Sequence, residues 1–182
     1  MTHSRFSLPC LLLLLGGCGA SSGTGVPAID AELLHPPTFD GLTPRSLMIQ
    51  VTDGRNPLPS TSSDMVFEVT RALGERFRSA GFRIDAANND NRLALTVTYK
   101  DTPLPGFQHD DCVWFKGRLT TVHGTWVDAE AGGCAEMHHI TGIRMGGDAS
   151  RAYETGLSGV IEQLDRGWAR IGGPSSGPAT PL

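Results

Sequence analysis

The chain has 182 residues, of which 39% are hydrophobic, and it carries a formal net charge of −4 at neutral pH. This length and composition fit a single globular domain with a core of moderate size. The acidic balance gives no basic footprint typical of nucleic-acid binding, so we expect no nucleic-acid partner.

The N-terminus is predicted to be a leader segment. Residues 1–5 are weakly basic, residues 6–15 form an apolar run, and the sequence Leu15-Gly16-Gly17-Cys18 follows. This order is typical of a secretory signal, and about ten apolar residues are too few for a spanning helix, which needs roughly 20. With its cysteine, the segment resembles the lipobox of bacterial lipoproteins. The resemblance implies removal of residues 1–17 as a lipoprotein signal peptide and acylation of Cys18; cleavage without lipidation is the alternative.

The same resemblance implies where the protein works. Acyl chains on Cys18 would attach the mature chain to a membrane of the bacterial cell envelope. Gly19 follows the cysteine, and by analogy with the enterobacterial sorting rule this favours the outer membrane, with the domain facing the periplasm.

Two segments are predicted to lie outside the folded domain. Residues 18–43 are rich in Gly, Ser, Ala and Pro and are expected to form a flexible tether. The tail, 172–182, has no apolar periodicity and is expected to be disordered. The folded domain should therefore span residues 44–171.

Within the domain the predicted order is strand, helix, three strands, helix. Strands are predicted at 46–52, 92–100, 113–127 and 134–145, with residues 128–133 joining the last two. The first helix carries an apolar stripe of Met65, Val69, Ala72 or Leu73, Phe77 and Ala80 and ends at Gly81. The last helix, capped by Asp148, carries the stripe Ala152, Gly156, Leu157, Val160, Ile161, Leu164 and Trp168.

This order predicts an α+β fold. Both helices should cover one face of a mostly antiparallel four-stranded sheet in a two-layer sandwich, β-α-β-β-β-α. The other face would be open to water or to a partner.

Several segments of this layout resemble one family. They are the lipobox at Cys18, the strand from Leu47 to Thr52 with Asp53-Gly54-Arg55 after it, the helix ending Arg78-Ser79-Ala80-Gly81-Phe82, and the strand from Leu93 to Tyr99. Together they resemble the YajG family of small bacterial lipoproteins over most of the mature chain. The resemblance implies no assigned reaction. Lipoproteins of lipopolysaccharide assembly and of ABC transporters share similar layouts.

Two cysteines remain once Cys10 leaves with the leader and Cys18 carries lipid. An even pair in an exported chain, Cys112 and Cys134, favours a disulfide. It would close a loop of about 20 residues and contribute roughly 3 kcal/mol. Two free thiols or a metal site are the alternatives.

The predicted hairpin has two possible registers that exclude one another. If residues 128–133 close it, His123 faces His138, and Glu136 shares their face, which would gather three metal ligands. The two cysteines would then lie some 40 Å apart, too far for a disulfide. If it turns at His123-Gly124, the cysteines oppose one another and the histidine pairing is lost. We expect no metal and no cofactor, the histidine set being the weaker alternative.

Six apolar side chains fall on one parity of the same hairpin. They are predicted to be core against the helices, with an exposed apolar groove as the alternative: Trp114, Val122, Trp126, Met137, Ile143 and Met145.

No nucleophile elbow or phosphate loop is present, so we expect no enzyme. The sequence predicts a lipid-anchored, non-catalytic binding or assembly module with an envelope protein as partner. It would act through the open sheet face or the loop 101–112. An accessory lipoprotein for lipid or lipopolysaccharide transport is the alternative, and a metal-binding envelope protein ranks third.

Overall fold

A computed structural model describes residues 27–56, 58, 61–84, 91–103, 108–140, 143–145 and 149–172; over 99–103, 108–111, 135–140 and 143–145 it describes the course of the backbone. The strands are β1 (Ser46–Asp53), β2 (Arg83–Ile84), β3 (Asn91–Pro103), β4 (Gln108–Thr120), β5 (Trp126–Ile140) and β6 (Ile143–Met145), and the helices are α1 (Ser62–Ser79) and α2 (Ala149–Gly172). A short 3-10 turn, Ala31–Leu33, precedes them. None of the helices in these ranges has the length and apolar content needed to cross a membrane.

The described strands form one mixed sheet in the order β2-β1-β3-β4-β5-β6. β1 pairs in parallel with both β2 and β3, and the remaining neighbours are antiparallel. The α+β class is confirmed, whereas the predicted count of four strands is wrong. The two additional strands, β2 and β6, have only two and three residues, too few for a periodicity to reveal them.

One face of the sheet packs against the helices. Along β3, the side chains of Leu93, Leu95 and Val97 are buried, and the residues between them are half-buried. The same alternation continues into β4 and β5, and both helices contribute to the same core cluster. Apart from Ala80, which is half-buried, the predicted stripe of the first helix is buried, as is the whole stripe of the last.

The hairpin of β4 and β5 turns over residues 121–125. Thr121 N–H donates to the carbonyl of Thr125 at 2.7 Å, and Gly124 adopts a positive φ of 81°. The predicted strands 113–127 and 134–145 are therefore corrected, and the register that turns at His123-Gly124 is confirmed. Residues 128–133, predicted as the connection, lie inside β5.

The small residues of that segment serve packing rather than a turn. A Cβ at Gly133 would overlap the backbone of Ala152 in α2, and a Cβ at Gly159 in α2 would lie 2.8 Å from the Ala131 Cβ. α2 therefore lies unusually close to β5, and this closeness excludes larger side chains along the contact.

Residues 27–43, here called the strap, pack against both helices. Ile29, Leu34, Phe39 and Leu42 are buried in the core, so the prediction that the flexible tether extends to residue 43 is wrong. These apolar residues are irregularly spaced and match neither a helical nor a strand period. The Gly- and Pro-rich composition around them therefore led to the prediction of a flexible tether. Residues 18–26, including Cys18, and residues 173–182 lie outside the described part of the chain.

Helix side chains hold the strap through its backbone. Glu68 of α1 accepts a hydrogen bond from Ile29 N–H at 2.7 Å. Asp165 of α2 accepts from Phe39 N–H at 2.7 Å and from the preceding amide at 2.9 Å. The backbone amides of this irregular segment are satisfied in this way, so the strap belongs to the domain.

Candidate functional site

The face of the sheet opposite the helices, here called the open face, carries a shallow depression of about 570 Å³ across β3, β4 and β5. Strand alternation places half-buried Thr96 and exposed Lys116, Arg118, Asp128 and Glu130 on this face. Buried side chains of both helices pack against the other face, and α2 contributes Gln163 to one border of the depression. The depression is therefore a polar surface accessible to a partner.

Two cross-strand ion pairs define the electrostatics of the depression. Arg118 Nε donates to Asp128 Oδ1 at 2.6 Å, and Lys116 Nζ lies 3.5 Å from Glu130 Oε2. The hydrogen bond from Arg118 lowers the pKa of the Asp128 carboxyl. All four side chains are about half exposed or more, so these pairs contribute little to stability. They remain available to a charged partner.

Trp126 marks one border of the depression. Its side chain is 55% exposed, and the guanidinium of Arg118 stacks over its ring at 4.6 Å from the centroid. Val122 is 40% exposed and Trp114 is half-buried. The prediction that this parity forms core is wrong for Trp126 and Val122, because a hairpin that turns at 121–125 directs it away from the helices. The side chains of Met137, Ile143 and Met145 lie outside the described residues.

A disulfide joins the two strands on the open face. Cys112 and Cys134 are directly opposed in the register, with their Cα atoms 4.1 Å apart and the sulfurs bonded. The predicted pairing is confirmed, and the alternatives of free thiols or a metal site at these cysteines no longer apply. Cys112 lies two residues before Trp114 in β4, and the bond covalently fixes the register that presents the depression.

The histidine set proposed as a weaker metal site is not brought together. His123 is exposed in the hairpin turn, whereas His138 pairs with Gln108 and Glu136 with Asp110 at the far end of β4 and β5. About twelve strand residues, or roughly 40 Å, separate the turn from His138. Among the described residues, no group of three or more His, Cys, Asp or Glu side chains could hold a metal ion.

Asn91 is a structural residue that the sequence analysis missed. It is fully buried; its Nδ2 donates to the carbonyls of Pro44 and Ser46 at 2.6 and 3.2 Å, and its Oδ1 accepts from Val122 N–H at 3.1 Å. It thereby links the starts of β1 and β3 to the hairpin turn. In the sequence it lies at the end of the polar run Asn88-Asn89-Asp90-Asn91, which is typical of a loop and gave no sign of this role.

Comparisons with known proteins give structural neighbours only. No family model matches the chain, and no curated protein matches it. A Xanthomonas campestris protein of the family DUF330 is 14% identical, with 80% of this chain and 92% of that chain covered and a TM-score of 0.44. A minor lipoprotein from Acinetobacter baumannii is 12% identical over 67% of this chain and 90% of its own, with a TM-score of 0.41.

A third neighbour is the rare lipoprotein B of Shewanella oneidensis. It is 15% identical over 68% of this chain and 89% of its own, with a TM-score of 0.30. The structural neighbours of the chain thus include bacterial lipoproteins. Because these TM-scores lie below 0.5, no residue role and no function is transferred from them.

Proposed function

We propose that the chain is a YajG-like, lipid-anchored protein of the outer membrane that faces the periplasm and acts as a non-catalytic binding or assembly module. The lipobox pattern ending at Cys18 supports the anchor. The open face supports the binding role, and it is the observation on which the proposal depends: one side of the sheet builds the core while the other presents a polar depression bordered by exposed Trp126.

The residue types of the open face suit an envelope protein as partner. Arg and Trp are enriched where proteins bind one another, and Arg118 and Trp126 are stacked and exposed at the border of the depression. The exposed ion pairs can exchange partners on docking and so contribute to specificity more than to stability. An acylated Cys18 would confine this face near the membrane and raise its effective concentration for envelope partners.

The alternative of an accessory lipoprotein for lipid or lipopolysaccharide transport requires an apolar groove. The depression on the open face is lined by four charged side chains, Thr96 and Gln163, with two alanines and one glycine between them. This lining suits a polar protein surface better than acyl chains. We therefore place the binding module first.

The anchor is tested by expressing the whole chain in a bacterial host and measuring its intact mass. Cleavage before Cys18 with added acyl chains supports the proposal, and the protein should then fractionate with the outer membrane. The matched control is Cys18→Ser, which should lose both the acyl mass and the membrane association. A wild-type chain that stays unlipidated would contradict the anchor.

The binding role is tested with a photo-crosslinking amino acid placed in the lipidated protein in cells. Position 96 lies in the depression, and position 162 is exposed on α2. We expect an adduct with one envelope protein from position 96, lost on the charge reversal Arg118→Glu, and none from position 162. Equal adducts from both positions, or none from position 96, would contradict a docking role of the open face.

A further inference from the structure

Arginine side chains collect at one end of the molecule. The hydrogen-bond registers bring together the starts of β1, β2, β3 and β5 and the end of β4. The end of α2 joins them, because Trp168 Nε1 donates to Asp40 O at 2.8 Å and Gly167 lies against Val127. This end, here called the basic pole, carries six exposed arginines: Arg45, Arg83, Arg92, Arg118, Arg166 and Arg170.

The six arginines of the basic pole outnumber the carboxylates that the described residues place there, which belong to Asp40, Asp128, Glu162 and Asp165. Arg118 pairs with Asp128, and Arg166 pairs with Glu162. Within the described part of the chain, Arg92 and Arg170 have no carboxylate within ion-pair distance. Arg45 donates a 3.0 Å hydrogen bond to a neutral acceptor, the carbonyl of Ala80. The pole therefore retains positive charge although the whole chain carries −4.

The opposite end of the sheet carries acidic residues. The backbone register pairs Asp101 with Asp111 and Asp110 with Glu136 there. Lys100, Arg144 and Arg151 lie at this acidic end as well and partly balance its carboxylates. A negatively charged surface would therefore attract the basic pole in preference to the acidic end.

Exposed apolar side chains accompany the arginines. Trp126, Val122 and Ile171 are 55%, 40% and 53% exposed at the same pole. Trp and aliphatic side chains enter the boundary between headgroups and acyl chains, while arginine contacts the phosphates. Neither charge nor apolar contact alone would select a membrane, but the two together fit its interface.

We propose that the basic pole docks on the anionic phosphate headgroups of the membrane surface. The proposal rests on the proposed function only in that the anchored domain already lies beside that membrane. It adds a fixed orientation, with the pole on the lipid and the sheet rising from it.

The length of the chain before the strap permits this orientation. The Asp30 backbone N–H donates to the Glu154 carboxylate, and the Asp40 carbonyl accepts from Trp168 Nε1. Glu154 and Trp168 are fourteen helical residues apart, a rise of about 21 Å. The start of the strap therefore lies about 21 Å from the level of Trp168. Eleven residue steps lead from Cys18 to Ile29, and they can reach at most about 40 Å. An acylated Cys18 can therefore sit in the membrane on which the pole rests.

The test uses the mature chain from residue 18 with Cys18→Ser, which carries no acyl group. The core cluster lies wholly between Ile29 and Trp168, so this chain contains all of it. Binding is measured by flotation with vesicles of phosphatidylethanolamine containing 30% phosphatidylglycerol, and with phosphatidylcholine alone. We expect binding only to the anionic vesicles, falling as salt is raised through the range where exposed charges are screened.

Two variants of the same helix localise the contact. Arg170→Gln should weaken binding about fivefold, because each basic residue near an anionic surface contributes a factor of about that size. Arg151→Gln is the matched control, an exposed arginine at the opposite end of α2, and it should change binding little. Trp126→Gln should weaken binding and should also reduce the binding that remains at high salt.

Three results would overturn the proposal. They are no binding to anionic vesicles, equal losses in the Arg170 and Arg151 variants, and binding to a soluble polyanion without binding to vesicles. Because the test chain has no lipid, these outcomes are independent of whether Cys18 is acylated in cells. Failure of the anchor and failure of the pole are therefore distinguishable.

Discussion

Two buried glycines have opposite surroundings, although each lies in a regular element. A Cβ at Gly133 would overlap the carbonyl of Ala152, whereas a Cβ at Gly74 would meet only the flexible Arg78 side chain at 3.5 Å. We expect Gly133→Ala to destabilise the fold by about 1–3 kcal/mol, because the helix must move away from the strand. Gly74→Ala should stabilise it by about 0.5–1 kcal/mol through helix propensity.

Urea unfolding of the two variants measures both effects as shifts of the midpoint at constant slope. The same chemical change in one protein makes each variant the control for the other. Similar shifts of equal sign would contradict the close approach of α2 to β5.

Asp53 connects residue chemistry to pH. The side-chain hydrogen bond from Arg55 lowers the pKa of its carboxyl from 3.8 to about 2, against the opposing effect of burial. Because the folded pKa is depressed, the stabilisation is complete above about pH 4 and is lost as the pH falls towards 2. The full contribution is about 2 kcal/mol.

The measurement is the free energy of unfolding between pH 5 and pH 2, compared with Asp53→Asn. We expect the variant to be less stable at pH 5 and the difference to vanish near pH 2. Parallel pH profiles of the unfolding free energy for the two proteins would show that the Asp53 carboxylate does not contribute to the pH dependence of stability.

At the scale of elements, the strap is held by Asp165. Its carboxylate accepts the amides of Thr38 and Phe39, and Phe39 stacks on Phe77 of α1. Asp165→Ala should cost about 1–3 kcal/mol, because two amides lose a charged acceptor. Amide hydrogen exchange at residues 38 and 39 should become faster by a larger factor than exchange in the sheet.

The control for this variant is Glu162→Ala, one turn earlier on α2. Its exposed carboxylate pairs with Arg166, so the stability change should stay within about 0.5 kcal/mol. Unchanged exchange at residues 38 and 39 in the Asp165 variant would mean that buried contacts alone retain the strap.

The elements that the sequence predicted well are those with long periodic stripes. Both helices were located because they bury one apolar face, and β1 because it ends at Asp53-Gly54. The hairpin could not be fixed, because residues 128–133 have the composition of a turn but the packing role of a strand. Ala129, Ala131 and Gly133 are small because α2 contacts them, and a contact with a distant element leaves no local pattern in the sequence.

The candidate site shows the same limit. The open face was predicted, since an antiparallel sheet with helices on one side leaves the other exposed. Which residues line it depends on the register, and a one-residue shift exchanges the faces. Trp126 was therefore predicted as core, although it borders the depression. The sequence did suggest the pairing of Cys112 with Cys134. Once formed, this disulfide excludes the register in which residues 128–133 close the hairpin.

At the scale of the whole molecule, the two proposed surfaces share Arg118 and Trp126 at one border and extend from there in different directions. β3, β4 and β5 run from the basic pole towards the acidic end, and the open face lies along their length. If the pole rests on lipid, the open face stands at an angle to the membrane rather than against it. A partner in the periplasm or in the membrane plane could then reach the depression beside Arg118 without displacing the domain.

This geometry makes the length of chain before the strap decisive. Deleting residues 19–24 leaves five residue steps from Cys18 to Ile29, or at most about 18 Å, less than the roughly 21 Å from the start of the strap to the pole. We expect the shortened, lipidated protein to stay folded, because the strap is intact, but to lose contact between its pole and the bilayer.

A fluorophore on His123→Cys, in the hairpin turn at the pole, should be quenched by brominated lipids in the full-length protein and not in the shortened one. Replacing residues 19–24 by six Gly and Ser residues should restore the quenching, because it restores the length of the tether without restoring its native sequence. Equal quenching in all three proteins would mean that the tether does not set the orientation, and quenching of a fluorophore on Arg151→Cys instead would place the acidic end on the membrane.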